Sequence, residues 1–183
     1  QTFRGYWDYD GGGLGDMGQH YLDPVQYLLG KDNESPVVIE AQTGPQDRDA
    51  VQPWKRISLR YADGCEIILD GENTDDAPFL SGPKGTLTKA LESSIPDLDE
   101  KIRALPDPAP QVTDFVQAVK TRQKFALNEV NGHRSCTLIN LAKIAVQTGR
   151  PLHFDPKKQR FVNDAAANAL IKQPMRGPWK IKV

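Results

Sequence analysis

The sequence predicts an α+β fold: an open, mostly antiparallel β-sheet with helices packed on one face. Three observations carry that prediction. Residues Trp54 to Tyr61 alternate polar and apolar, Cys65 to Asp70 form a second apolar run, and the Asp63-Gly64 step between them is a strong hairpin signal. The strand-like runs follow one another with no helix between them, which fits a meander and excludes a βαβ series. Helical periods are gathered at the start and in the second half of the chain instead.

The elements follow in order. Triple glycine Gly11-Gly12-Gly13 opens a helix expected over 14–29, with Leu14, Met17, Tyr21, Val25 and Leu28 as its apolar stripe. Pro24 implies a kink or a fresh start capped by Asp23, and Gly30 is placed to end the helix. Strands are expected at Val37 to Thr43, in the hairpin above, and in a pair joined through Gly82-Pro83-Lys84-Gly85 that continues the meander. Residues 92–111, rich in Pro, Asp and Glu, read as an exposed connection with at most a short helix. A helix over 112–122 should turn Val112, Phe115, Val116 and Val119 inward. A stronger one over 134–148 has the stripe Leu138, Leu141, Ala142, Ala145 and Val146, and Gly149 closes it. An extended Leu152 to Phe154 then precedes an Ala-rich helix over 163–172, with Asn163 as candidate cap.

Composition narrows the function classes. With 183 residues, 38% of them hydrophobic, the chain can bury a core of its own as one domain. The formal net charge of −1 gives no electrostatic reason to expect nucleic acid or an anionic membrane as partner. The apolar runs are far shorter than a membrane span needs. Two cysteines, Cys65 and Cys136, lack zinc spacing and are expected as buried or half-buried free thiols, which tilts towards a cytoplasmic setting. Gln1 is followed by neither an initiator Met nor a signal-peptide pattern, so the chain reads as beginning within a longer protein.

Chemistry concentrates on the first helix. Asp16 and His20 are one turn apart on its polar face, with Asp23 and Tyr27 further along. A carboxylate so placed can orient an imidazole and raise its basicity, which general acid–base catalysis requires. A solvated polar face reads the same pattern without chemistry. No metal site is expected, since only two ligands are local. The glycines are no dinucleotide fingerprint: Tyr6-Trp7-Asp8-Tyr9-Asp10 ahead of them is not a buried strand. Trp7, Tyr9 and Asp10 are candidates to line a carbohydrate cleft, and His133, which could equally cap its helix, is a further substrate candidate. His153 reads as structural.

The string Gly11 to Asp23, GGGLGDMGQHYLD, closely resembles the pattern GGG-x-L-x-D-x-G-x-H-x-x-D of the Gfo/Idh/MocA oxidoreductases, with Leu14 one place early. Asn131-Gly132-His133-Arg134-Ser135, Gly149-Arg150-Pro151-Leu152 and Asp155-Pro156 resemble that family's closing segment. The tail from Asn163 to Asn168 and from Arg176 to Trp179 is similar to an ending of bacterial members. The resemblance implies the C-terminal substrate-binding and oligomerisation domain, residues 1–183, of an enzyme whose N-terminal Rossmann domain lies outside this chain. It implies NAD or NADP in the full-length enzyme, with no cofactor held by this chain and the isolated fragment inactive. Asp16 and His20 then map to the catalytic pair, working with a Lys of the missing domain on a sugar, polyol or cyclitol hydroxyl. A homo-oligomer through an apolar sheet face is expected, and Arg176 and Trp179 are candidates to pack on the Rossmann domain. The alternatives are a catalytically silent binding or oligomerisation module and an NAD-dependent glycosidase of the same family.

Overall fold

The computed structural model describes residues 3–72, 78–175 and 177–179. They divide into two compact units, one made of 1–72 with 127–183 and the other of 73–126. The first begins with a short 3-10 turn at Phe3–Gly5, followed by helix α1, Gly12–Leu28. Strands β1 (Val38–Thr43), β2 (Trp54–Arg60) and β3 (Glu66–Asp70) come next. After the second unit come helix α4 (Glu129–Thr148), strands β6 (Leu152–Asp155) and β7 (Arg160–Phe161), and helix α5 (Ala165–Ala169).

These strands form one sheet in the order β3-β2-β1-β6-β7, and every pairing is antiparallel. The chain belongs to the α+β class that its strand pattern predicts. The hairpin forms where the Asp-Gly step placed it, with Gly64 at φ 88° and Arg60 opposite Glu66. Register puts Ile39 opposite both Leu59 and Leu152, and Leu59 opposite Ile67, so one face is a continuous apolar surface. Helix α4 packs on β1 and β2, and α1 packs on α4. The core lies between sheet and α4, where Ile39, Ile57, Leu59, Leu138, Ala142 and Ala145 are fully buried.

The other sheet face departs from expectation. It was expected to be apolar, but the same alternation gives it Glu40, Ser58, Arg60, Glu66 and His153. Arg60 reaches both Glu40 and Glu66, at 3.8 and 3.6 Å, and the Ser58 hydroxyl donates to Glu66. Exposed Ile68 is an apolar exception.

Two boundaries are also corrected. α4 starts at Glu129, earlier than expected, because the Asn128 side chain accepts the Val130 N–H. Its expected stripe and its Gly149 terminus, at φ 61°, are found as read. α5 is capped by Asp164, not Asn163: its carboxylate accepts the Ala167 N–H at 3.0 Å and forms a bidentate pair with Arg150. Arg150, then the backbone N–H of Ala167, hold that carboxyl down at about 2. Asn168, in the same helix, bonds both the N–H and the carbonyl of Phe161 at 2.8 Å, tying α5 to β7. Of the two free thiols, Cys65 is half-buried, but Cys136 is exposed.

The second unit contains the ribbon β4 (Leu80–Gly82) with β5 (Gly85–Leu87), and helices α2 (Leu98–Arg103) and α3 (Phe115–Thr121). The ribbon forms as a two-stranded sheet of its own rather than as a continuation of the meander. In α3 the inward face is not the expected one. Phe115, Val116 and Val119 are exposed and Ala118 is buried.

Candidate functional site

The site is built from the entry to α1. The chain turns through Tyr6 to Asp10, where the Tyr6 carbonyl accepts from the N–H groups of Asp10 and Gly11 at 3.1 and 3.0 Å. Gly11 then adopts φ 81°, which an L side chain rarely takes. A Cβ there would lie 2.2 Å from Lys143 Cε, and one on Gly15 would lie 1.7 Å from the Asp10 carbonyl oxygen. Lys143, from α4, donates to that same carbonyl at 3.0 Å. Burial pushes the Lys143 ammonium below its usual range, while nearby Asp10 opposes the shift. The glycines let the loop, α1 and Lys143 pack closely. The space at Gly11, Gly12 and Gly15 is filled by this chain's own atoms, whereas a Cβ on Gly13 would meet open space.

α1 runs unbroken through Pro24, so the expected fresh start at Asp23 is not made. Asp23 instead accepts the hydroxyl of buried Ser135, tying α1 to α4. The buried stripe of the helix is also offset from the expected one: Leu14, Gly18, Leu22 and Gln26 face inward, while Met17, Tyr21 and Leu28 are exposed. Gly18 permits the close approach of α4, since a Cβ there would lie 3.4 Å from Ile139.

Asp16 and His20 lie on the outer side of α1, and both are exposed. Arg4 Nε pairs with Asp16 at 2.9 Å, and the carboxylate remains 35% exposed. Among the described residues no hydrogen bond or ion pair joins Asp16 to His20. Trp7 is only 8% exposed and packs in the core, its indole N–H buried without a partner. Tyr9 is exposed and meets Tyr6 edge-to-face at 6.4 Å, and Asp10 is half-buried. His133 is exposed in the second turn of α4, so it does not cap the helix, and it lines a different hollow. Trp179 is exposed, and Arg176 lies outside the described residues.

The chain matches, over residues 1–181, the family model described as "Oxidoreductase family, C-terminal alpha/beta domain" of the Gfo/Idh/MocA group. The chain belongs to this family. No curated protein and no solved structure matches it. As a Gfo/Idh/MocA C-terminal domain it is of a kind that works with an N-terminal partner domain, in a family that generally uses NAD(P). Among the described residues, the glycine-rich entry to α1 does not fit a pyrophosphate at Gly11, Gly12 or Gly15, where Lys143, Val51 and the Asp10 carbonyl stand in the way. Among the described residues no helix is long and apolar enough to cross a membrane, and no three His, Cys, Asp or Glu side chains are grouped as a metal site.

Sequence reading missed several polar residues. Arg4 and Lys143 are two of them, and Lys143 had a visible signal: it interrupts the apolar run Leu141, Ala142, Ile144, Ala145. At the far end of α1, Lys31 is 6% exposed and its ammonium bonds Asp63 at 2.7 Å and Glu34 at 2.9 Å. Those two bonds, Asp63 first, raise it above the usual lysine value. Gln26, fully buried, donates to the Lys31 carbonyl at 2.8 Å.

Proposed function

We propose that the chain is the substrate-binding half of an NAD(P)-dependent oxidoreductase acting on a sugar, polyol or cyclitol hydroxyl. The observation that carries this reading is that His20 and Asp16, one turn apart, both lie exposed on the side of α1 that turns from the core. Met17 and Tyr21 beside them are uncovered too, which suits a helix face that meets a partner domain. In this reading His20 takes the substrate's hydroxyl proton, and Asp16 balances the charge of the imidazolium that results. Tyr9 and Asp10, at the mouth of the glycine loop, contact the substrate, and Lys143 holds that loop in place. The hydride acceptor belongs to the partner domain.

The test uses the full-length enzyme. His20→Ala is expected to lower turnover by about 10²–10⁴ while leaving nucleotide affinity nearly unchanged. Asp16→Asn should act in the same direction with a smaller loss. Wild-type turnover of His20→Ala at saturating substrate would remove His20 from the mechanism. It would also favour the second reading, a silent binding module, which draws support from the Arg4–Asp16 pair: an acid already neutralised by a neighbour has no need of His20.

Homo-oligomerisation through the open sheet face belongs to the proposal. A second copy there would meet Glu40, Arg60 and Glu66, so association measured by light scattering should weaken with added salt. A monomer at all protein concentrations would exclude it.

A further inference from the structure

A hollow of about 600 Å³ opens where the segment after α1, the start of β1, the second turn of α4 and the β6–β7 turn come together. Asp16, His20, Tyr9 and Asp10 do not line it, so it is distinct from the site proposed for catalysis. Arg134, His133 and Lys157 line it, together with Ser35, Gln159 and Glu34.

Its charges do not balance. Among the described residues the Arg134 guanidinium makes one hydrogen bond, from Nη1 to the Ser35 hydroxyl at 3.2 Å, and it has no carboxylate partner. Its Nε is buried and bonds nothing. The Lys157 ammonium likewise has no acidic partner there. The carboxylate on the wall, Glu34, shares the Lys31 ammonium with Asp63, so that trio keeps one net negative charge, and Arg134 with Lys157 still leave the hollow net positive. A half-buried guanidinium with unused donors is costly unless a carboxylate or phosphate completes it. Gln159 spends its amide N–H on the Pro156 carbonyl at 2.6 Å, which leaves its oxygen free for a ligand hydroxyl. Val37 and Ala62 add apolar wall.

We propose that this hollow binds the oxyanion of a small carboxylate- or phosphate-bearing molecule, with the Arg134 fork as anchor and Lys157 and His133 at its mouth. Arg134 supplies the planar donor pair that such a group matches, and Lys157 a second positive charge at the rim. The reading does not depend on the chemistry proposed for His20, because its readout is binding and needs no turnover.

The experiment titrates the purified protein with inorganic phosphate and, separately, with malonate, at constant ionic strength and with sodium chloride as control. Backbone amide resonances of 33–35, 37, 62 and 157–159 report the hollow. Saturable shifts confined to those residues are expected, and the tighter of the two anions identifies phosphate or carboxylate as the preferred group. Charge-assisted hydrogen bonds are worth enough that Arg134→Gln, which can keep the Ser35 bond, should weaken binding at least about tenfold. Lys157→Ala, at an exposed position, should weaken it a few-fold without affecting the fold. No saturable shift with either anion would overturn the proposal, as would wild-type binding by folded Arg134→Gln. If Arg134→Gln fails to fold, Lys157→Ala decides, and unchanged binding by that variant overturns it.

Discussion

The two ends of α1 solve opposite problems with the same helix. At the N-terminal end, polar side chains stay outside and the backbone is packed: glycines admit Lys143 and the Asp10 carbonyl, while Asp16 and His20 remain in the open. At the C-terminal end the polar side chains themselves are buried. Gln26 closes the helix exit through the Lys31 carbonyl, and the Lys31 ammonium lies under Asp63 and Glu34 and over the Tyr61 ring at 5.2 Å. One end is rigid by shape and leaves side chains free to act on a ligand. The other is rigid by charge pairing and spends its side chains on the fold.

If that comparison is right, the largest stability effect belongs to the glycine end. Gly15→Ala sets a methyl against a backbone carbonyl that cannot turn aside, and should cost about 3 kcal/mol or more in chemical denaturation. Gly13→Ala is the matched control. Nothing lies within 4 Å of a Cβ there, so it should be neutral or stabilise by about 0.5 kcal/mol. Equal effects in the two variants would show that the contact between position 15 and the Asp10 carbonyl does not set the stability of this end.

A smaller effect is expected at the charged end. Lys31→Met keeps much of the stem but removes the ammonium from two carboxylates, and should cost about 1–3 kcal/mol. Turnover of the full-length enzyme should be spared, since Lys31 is remote from the His20 face. A stability equal to wild type would mean the ion pairs contribute nothing beyond what water offers their partners.

The smallest effect is a pH dependence confined to that end. The Lys31 ammonium, then the Cys65 N–H, hold the Asp63 carboxyl below its ordinary value, so its contribution is present above that value and fades as pH falls through the lowered one. Lys31 is raised, so its contribution is present below the ordinary lysine value and is lost only as pH climbs through the raised one. The pair therefore stabilises from roughly pH 4 to roughly pH 10.5. Asp63→Asn should flatten the acid limb of a stability–pH curve, and an unchanged acid limb would assign the loss of stability to other carboxylates, Asp164 first among them.

Legibility follows the same division. The first strands and their hairpin could be read because alternation and an Asp-Gly step are local signals, whereas the placement of β6 beside β1 and the separate ribbon could not. The α4 stripe could be read because its buried positions are all apolar. The α1 stripe was read a step off, because its buried face uses Gly18 and Gln26, residues that no hydrophobicity pattern marks, while Met17, Tyr21 and Leu28 stay out. The string that placed Asp16 and His20 on one helix is also local. That Asp16 is taken by Arg4 could not be read from it, because the turn that brings Arg4 alongside is made in three dimensions.

By itself, then, the sequence determined the α+β class, the antiparallel character of the sheet, the helix that carries Asp16 and His20, and the family to which the chain belongs. Each rests on residues close together in the chain, whose periodicity or spacing is enough. Only the tertiary structure decided which polar groups are spent and which are free. Lys31 meets Asp63, Asp23 meets Ser135, and Arg134 meets Ser35 across long stretches of chain, and burial makes those pairings necessary. A buried charge must find its partner wherever the fold brings one, and no local pattern records where that is.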